Sequence, residues 1–173
     1  MAETISILLS EEEVDSRIQK MGEMISKDYE GKQIHLICVL KGGVFFMCEL
    51  AKRISVPVSM DFMAISSYGS DTKSSGVIKI VKDLDESITG KDVLVVEDIV
   101  DTGITMRAFM SNLREMGATS VALTSFLYKP ESLRYEEVKP KYYGLAIPPA
   151  FIIGYGLDIN EKARNLDAIY SKV

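Results

Sequence analysis

Between Val93 and Thr105 the residue types change in an order that suits chemistry. The apolar run Val93-Leu94-Val95-Val96 meets two adjacent carboxylates, Glu97 and Asp98, and a third follows at Asp101. Thr102-Gly103-Ile104-Thr105 then opens a helical pattern. The expectation is a strand ending at Val96, an acidic loop and a helix N-terminus. Carboxylates can grip sugar hydroxyls or a metal ion, and the free amides of a helix N-terminus carry about +0.5 charge and hold phosphate. Gly103 permits a tight backbone, and two Thr hydroxyls can donate. Taken alone, acids after a strand also read as solvent-facing or helix-capping groups. If the strand persisted through them, Glu97 and Asp98 would point to opposite sides. A Walker-type loop is excluded, because no Gly-x-x-x-x-Gly-Lys-Ser/Thr occurs. The combination points to an enzyme acting on a phosphorylated sugar.

Such a loop needs a scaffold, and the chain alternates strand and helix signals. Ser10-Glu11-Glu12-Glu13 is a capping-box pattern, and Val14, Ile18, Met21 and Ile25 follow at helical spacing. Ile34 to Leu40 is a nearly continuous apolar strand ended by Lys41-Gly42-Gly43, and Val44 to Arg53 reads as a helix. Val56 to Ile65 alternates as a strand does. Ser66 to Gly76 is a long polar stretch, after which Val77 to Val81 returns as a strand. Thr105 to Met116 is a helix closed by Gly117, and Val121 to Tyr128 a strand ending at Lys129-Pro130. Tyr142 to Ile147 and Phe151 to Tyr155 complete the strands. Continuous apolar strands separated by helices predict an α/β fold, with a mainly parallel sheet flanked by helices. Ligands of such sheets sit at the carboxyl ends of the strands. Three segments end there with chemistry: at Lys41, at Glu97 and at Lys129.

The 173 residues suit a single domain. A net charge of −5 lacks the basic footprint of a dedicated nucleic-acid binder. Cys38 and Cys48 lie in apolar sequence and are expected as buried free thiols. No apolar run approaches the ~18 residues of a membrane span, and Met1-Ala2-Glu3-Thr4 does not begin a secretory pattern, so the reading is cytoplasmic. His35, inside an apolar strand, is expected to be a hydrogen-bonded core residue.

Val95 to Thr105 resembles the phosphoribosyl-diphosphate (PRPP) motif of type I phosphoribosyltransferases, and the wider chain is similar to the bacterial hypoxanthine(-guanine) enzymes. Leu40-Lys41-Gly42-Gly43, Ser66-Ser67-Tyr68-Gly69, Leu127-Tyr128-Lys129 and the block Phe151 to Glu161 carry the rest of the likeness, in the right order. The resemblance implies one domain over residues 1–173, with a core of about 31–147 and a small hood from the N-terminal segment and 148–173.

It also implies roles. Glu97 and Asp98 would accept from the ribose hydroxyls and help hold Mg²⁺, with Asp158 at a second Mg²⁺. Amides and hydroxyls from Asp101, Thr102, Gly103, Ile104 and Thr105 would cradle the 5′-phosphate. Asp101 would be the catalytic acid/base facing purine N7, its alternative being ribose or amide bonding without proton transfer. Lys41, Gly42, Gly43 and Arg164 would take pyrophosphate, with the Leu40–Lys41 bond cis. Lys129 would read the purine O6, Phe151 would stack on the base, and the Ile152 backbone would read its edge beside Asp158. Ser67 and Tyr68 would belong to a lid. Without the resemblance, Lys129 reads as a surface Lys, Phe151 as core, and Asp158 and Arg164 as a surface acid and base with no shared partner.

The implied reaction joins PRPP to hypoxanthine or guanine with Mg²⁺ as cofactor, in a homodimer or homotetramer that binds neither nucleic acid nor membrane. Two other readings stand beside it: a xanthine- or adenine-preferring relative, and an RNA-binding regulator on the same fold.

Overall fold

Ile34–Val39 (β2) is buried at all six positions, as a central strand covered on both faces must be. A computed structural model describes residues 5–67 and 77–172. Around β2 lies a six-stranded sheet built from Val58–Ser67 (β3), Ile78–Lys82 (β4), Asp92–Val100 (β5), Ser120–Tyr128 (β6) and Tyr142–Ala146 (β7), in the order β4-β3-β2-β5-β6-β7. Every pairing is parallel except β3 with β4. The side-chain period of two divides the core between the faces. Leu36, Cys38, Leu94 and Val96 face the helices Glu11–Asp28 (α1) and Val44–Arg53 (α2). Ile37, Val39, Val93 and Val95 face the helix Ile104–Glu115 (α3), with Phe109 and Leu113 packed into that layer.

A second sheet of three antiparallel strands joins Ile5–Leu9 (β1), Phe151–Ile153 (β8) and Ile169–Lys172 (β9) in the order β1-β9-β8. Neither β1 nor β9 is expected from the sequence: both are short, and β1 leaves Ile5 and Ile7 open to solvent. The expected strand at β8 runs too far, because Gly154 at φ 94° turns the chain away before Tyr155. Cys38 is buried as expected, but Cys48 is exposed. Helical periodicity places Phe46, Met47 and Leu50 of α2 inward and turns Cys48 to solvent. His35 is 3% exposed, and its Nδ1 lies 2.7 Å from Ser59 Oγ. Among the described residues no helix is long and apolar enough to cross a membrane.

The chain passes from β2 outward to β3 and later returns to the other side of β2 as β5. Successive connections therefore leave in opposite directions between β2 and β5, the place where an open α/β sheet forms a crevice at its carboxyl edge. The loop after β2 is Lys41-Gly42-Gly43, and the end of β5 carries Glu97 and Asp98.

Candidate active site

β5 does not stop at the acids. It continues to Val100, whose partner on β6 is Tyr128, because Ile99 and Val100 pair with Leu127 and Tyr128 and extend the apolar sheet. Glu97 and Asp98 are thus half-buried in a strand rather than loose in a loop. Strand alternation predicts that they diverge, yet their carboxyls act on one another's charge state. Desolvation first, and then the charge and hydrogen bond of Asp98, push the Glu97 pKa well above the ordinary carboxylate range. Desolvation also raises Asp98, opposed by the Ile99 N–H at 2.8 Å, by Glu97 and by the charge of Arg164. Desolvated acids this close cannot both ionise cheaply, so one proton between them lowers the cost.

A cation would remove that conflict. Among the described residues no three His, Cys, Asp or Glu side chains converge as a metal cage. Two adjacent carboxyls with room for substrate oxygens and water match the sparse protein ligation of a hard dication such as Mg²⁺. Asp158, expected at a second Mg²⁺, stands apart from this pair and lies 3.1 Å from Arg164.

The helix after β5 is left open at its start. At α1, Ser10 Oγ accepts from the Glu13 N–H at 3.3 Å, the Ser10 N–H donates to Glu13 Oε2 at 2.8 Å, and three Glu fill the first turn. At α3 the N-cap is Gly103, with no side-chain cap and no acid in the first turn. Ile104, Thr105 and Met106 therefore start a helix whose first amides have no intrahelical acceptor, the Ile104 N–H having only Thr102 Oγ1 at 3.5 Å. They border a cavity of about 170 Å³ together with Glu97, Asp101, Thr102 and Gly103. Gly103 adopts φ 76°, and a Cβ there would lie 2.5 Å from Val138 Cγ2, so both conformation and space demand glycine.

Strand register brings the next pair together. The Lys129 N–H donates to the Val100 carbonyl at 2.9 Å, which sets the residue after β6 beside the residue after β5. Lys129 Nζ then lies 3.0 Å from Asp101 Oδ2. The Lys side chain is only 12% exposed, against the surface position that Pro130 by itself suggests. Asp101 is 48% exposed and open to a ligand.

The loop after β2 holds the Leu40–Lys41 bond cis, as the resemblance implied. A Cβ on Gly42 would fall on the Asp98 carboxylate, and one on Gly156 would fall on the Gly42 carbonyl oxygen. The glycines thus let the loop, the acids and the segment after β8 stack against one another. That segment carries Arg164, which donates to Gly156 O at 2.7 Å and pairs with Asp158. Asp158 and Arg164 therefore do share partners. Glu161, given no role by the sequence reading, lies 2.7 Å from Lys41 Nζ and 3.2 Å from Arg164. The only signal for it was an acid spaced three residues from both Asp158 and Arg164.

Phe151 is 48% exposed on β8 rather than core, with the Lys172 ammonium 5.6 Å from its ring centre, while Ile152 is buried. Ser67 ends β3 opposite Ile78. Tyr68 and the rest of the expected lid through Gly76 lie outside the described residues.

Comparison with known proteins places the chain in a family. A model of the phosphoribosyl transferase domain matches residues 5–160. The hypoxanthine-guanine phosphoribosyltransferase of Mycobacterium tuberculosis is 45% identical over 170 residues, covering 95% of this chain and 84% of that protein. That of Streptococcus thermophilus is 44% identical over 160 residues, covering 92% and 88%. Among solved structures, a hypoxanthine phosphoribosyltransferase from Staphylococcus aureus gives a TM-score of 0.93 at 39% identity, covering 97% of this chain and 91% of that one. A hypoxanthine-guanine phosphoribosyltransferase from Bacillus anthracis, with HEPES in its active site, gives 0.92 at 39% identity, covering 97% and 98%. An anion-ready α3 beside a strand-borne acid pair, on this sheet order and with these likenesses, identifies the chain as a member of the phosphoribosyltransferase family, of the type I fold.

Proposed function

We propose that this chain transfers the 5-phosphoribosyl group of PRPP to N9 of hypoxanthine or guanine, giving IMP or GMP and pyrophosphate, as a purine-salvage enzyme of the cytoplasm. The observation that carries the base specificity is the Lys129–Asp101 pair at 3.0 Å. O6 and N7 lie side by side on one edge of a 6-oxopurine. A cation and a carboxylate held together can meet both: Lys129 donates to O6 and Asp101 accepts from N7–H. Adenine offers an amino donor where Lys129 requires an acceptor, so the same pair disfavours it.

The remaining residues divide the sugar substrate. The first amides of α3 and the hydroxyls of Thr102 and Thr105 hold the 5′-phosphate. Glu97 and Asp98 accept from the ribose hydroxyls. Lys41, the Gly42 and Gly43 amides and Arg164 take the pyrophosphate. As N9 forms its bond to C1′, the C1′–oxygen bond to pyrophosphate breaks and its electron pair leaves with pyrophosphate. Asp101 removes the N7 proton, help worth about 10²–10⁴-fold. Phe151, exposed on β8, supplies a face for the base. Glu97 and Asp98 would hold Mg²⁺, with Asp158 toward the leaving group, and the ion would supply charge neutralisation to the departing pyrophosphate.

We also assign residues 31–147, with α1 packed on their sheet, as the core and the three-stranded sheet region as the hood over the base. A homodimer or homotetramer is supported by exposed Met60 on β3 and exposed Ile80 and Val81 on β4, apolar residues at one end of the main sheet. Light scattering of the purified chain reads that assembly directly.

The defining test is a panel of hypoxanthine, guanine, xanthine and adenine, each with PRPP and Mg²⁺, followed by nucleotide and pyrophosphate release. Hypoxanthine and guanine are the expected substrates. No turnover of any 6-oxopurine would sink the assignment, and preference for xanthine or adenine would replace it with a relative of different base specificity.

A further inference from the structure

The ion pairs at the β2 loop form a chain of four alternating charges. Lys41 Nζ binds Glu161 Oε2 at 2.7 Å, Glu161 Oε1 binds Arg164 at 3.2 Å, and Arg164 binds Asp158 Oδ1 at 3.1 Å. Two cations and two carboxylates cancel without any ligand. Each oxygen of the Glu161 carboxylate takes a different cation, the bridging geometry a phosphoryl group would use.

Glu161 is brought there by its backbone and not by chance side-chain reach. Asn160, Glu161 and Ala163 have φ of 52°, 63° and 72°, a left-handed run that non-glycine residues seldom adopt. The Glu161 N–H is committed to Asp158 Oδ2 at 2.7 Å, so the turn holds independently of the carboxylate. The two cations differ in what else they hold. Arg164 keeps Asp158 and the Gly156 carbonyl when Glu161 lets go. The Lys41 ammonium, on a side chain 68% exposed, has no other hydrogen-bond or ion-pair partner among the described residues.

We propose that Glu161 is an internal competitor for the pyrophosphate site: its carboxylate bridges Lys41 and Arg164 in the free enzyme, must be displaced when a pyrophosphoryl group binds, and returns as pyrophosphate leaves. This rests on the assignment of Lys41 and Arg164 to pyrophosphate made above. Glu161 is a positioning residue, acting through the two cations and touching no reacting atom. It sets a threshold that a pyrophosphoryl anion clears by its greater charge and by its ability to reach both cations and the loop amides together. It also speeds departure of the product by replacing it.

The test is Glu161→Gln, which keeps the side-chain length and the N–H bond to Asp158 but removes the charge. Calorimetric titration of the full chain with pyrophosphate and Mg²⁺ is expected to show binding about 3- to 10-fold tighter, the scale of losing two partly exposed ion-pair contacts. Pyrophosphate should become a correspondingly stronger product inhibitor, and the KM for PRPP should fall. Damage to the fold can only weaken binding, so a gain separates competition from a structural role. Unchanged or weaker pyrophosphate binding in Glu161→Gln overturns the proposal. Lys41→Met, titrated alongside, keeps the two readings apart. If it leaves pyrophosphate binding unchanged, the assignment of Lys41 fails; if it weakens binding while Glu161→Gln does not tighten it, only the competitor role fails.

Discussion

Lys129 and Asp101, the residues that follow β6 and β5, are locked side by side by one main-chain hydrogen bond between Lys129 N–H and Val100 O, and their charged groups meet at 3.0 Å. The contact means that the proposed base-reading cation and the proposed proton acceptor are one unit before substrate arrives. On that assignment, purine binding would exchange a Lys–Asp bond for bonds to O6 and N7, and the mostly buried Lys129 ammonium would lose little water.

Asp101→Asn preserves the shape and removes the basic oxygen. The expected result is a kcat lower by at least about 10²-fold with PRPP binding retained. Near-normal kcat in steady-state assays would remove Asp101 from the proton-transfer role.

Lys129→Met keeps the buried stem and deletes the charge. A charge-assisted hydrogen bond contributes about 1.5–3 kcal/mol, so kcat/KM for hypoxanthine should fall roughly 10- to 100-fold. The value for adenine should not fall with it. Parallel loss for both bases would show that Lys129 does not select the oxo group.

Gly42→Ala places a methyl on the Asp98 carboxylate. The loop or the acid pair must move, at a cost of roughly 1–3 kcal/mol in stability. PRPP turnover should fall further than the melting temperature alone explains, because the displaced groups are the ones assigned to substrate. Wild-type kinetics in this variant would contradict the close packing of the loop on Asp98.

The acid pair gives stability a pH dependence of definite sign. A carboxyl whose folded pKa lies above its unfolded value contributes stability that is present at low pH and lost as pH rises through the folded value. Glu97 is such a group, raised by desolvation and by Asp98. Glu97→Gln should therefore melt higher than wild type at pH 7.5, by about 2–4 °C per kcal/mol recovered, and the gap should close toward pH 4. Calorimetric scans of both proteins across that range check it, and an unchanged or lower melting temperature at pH 7.5 counts against the raised pKa.

His35 works in the opposite sense and is the single histidine of the chain. Burial, then the nearby Lys91, lowers its pKa from the usual 6.5. Its stabilising contribution is present above the unfolded pKa and is lost as pH falls through the folded one. One imidazole resonance in a proton NMR titration should move with a midpoint below 6.5. A midpoint at or above that value would mean the site accepts the charged ring.

Much of this was readable from residue order. The continuous apolar runs of β2, β5 and β6 announced a buried parallel sheet because both faces need apolar side chains. Ser10 with Glu13 marked the start of α1 because that cap is a purely local bond pair. β1 and β9 escaped notice because each is stabilised by its partner across the chain, Ile5 with Lys172 and Ser6 with Ser171, and not by a local pattern. The end of β5 was misplaced for a related reason: β6 extends the strand past two acids that local propensity would place in a loop.

The same division runs through the site. Sequence alone determined which chemical groups the chain owns and in what order: acids, then a glycine-opened helix, then Lys129, then the Asp158–Arg164 segment. Those are local properties, set by side-chain type and backbone freedom. Only the tertiary structure decided who meets whom. It joined Glu97 to Asp98, Lys129 to Asp101 and Lys41 to Glu161, the last pair 120 positions apart in the chain. Charge and hydrogen bonding act over a few ångströms of space, and distance along the chain carries no record of them until strand register and glycine packing fix it.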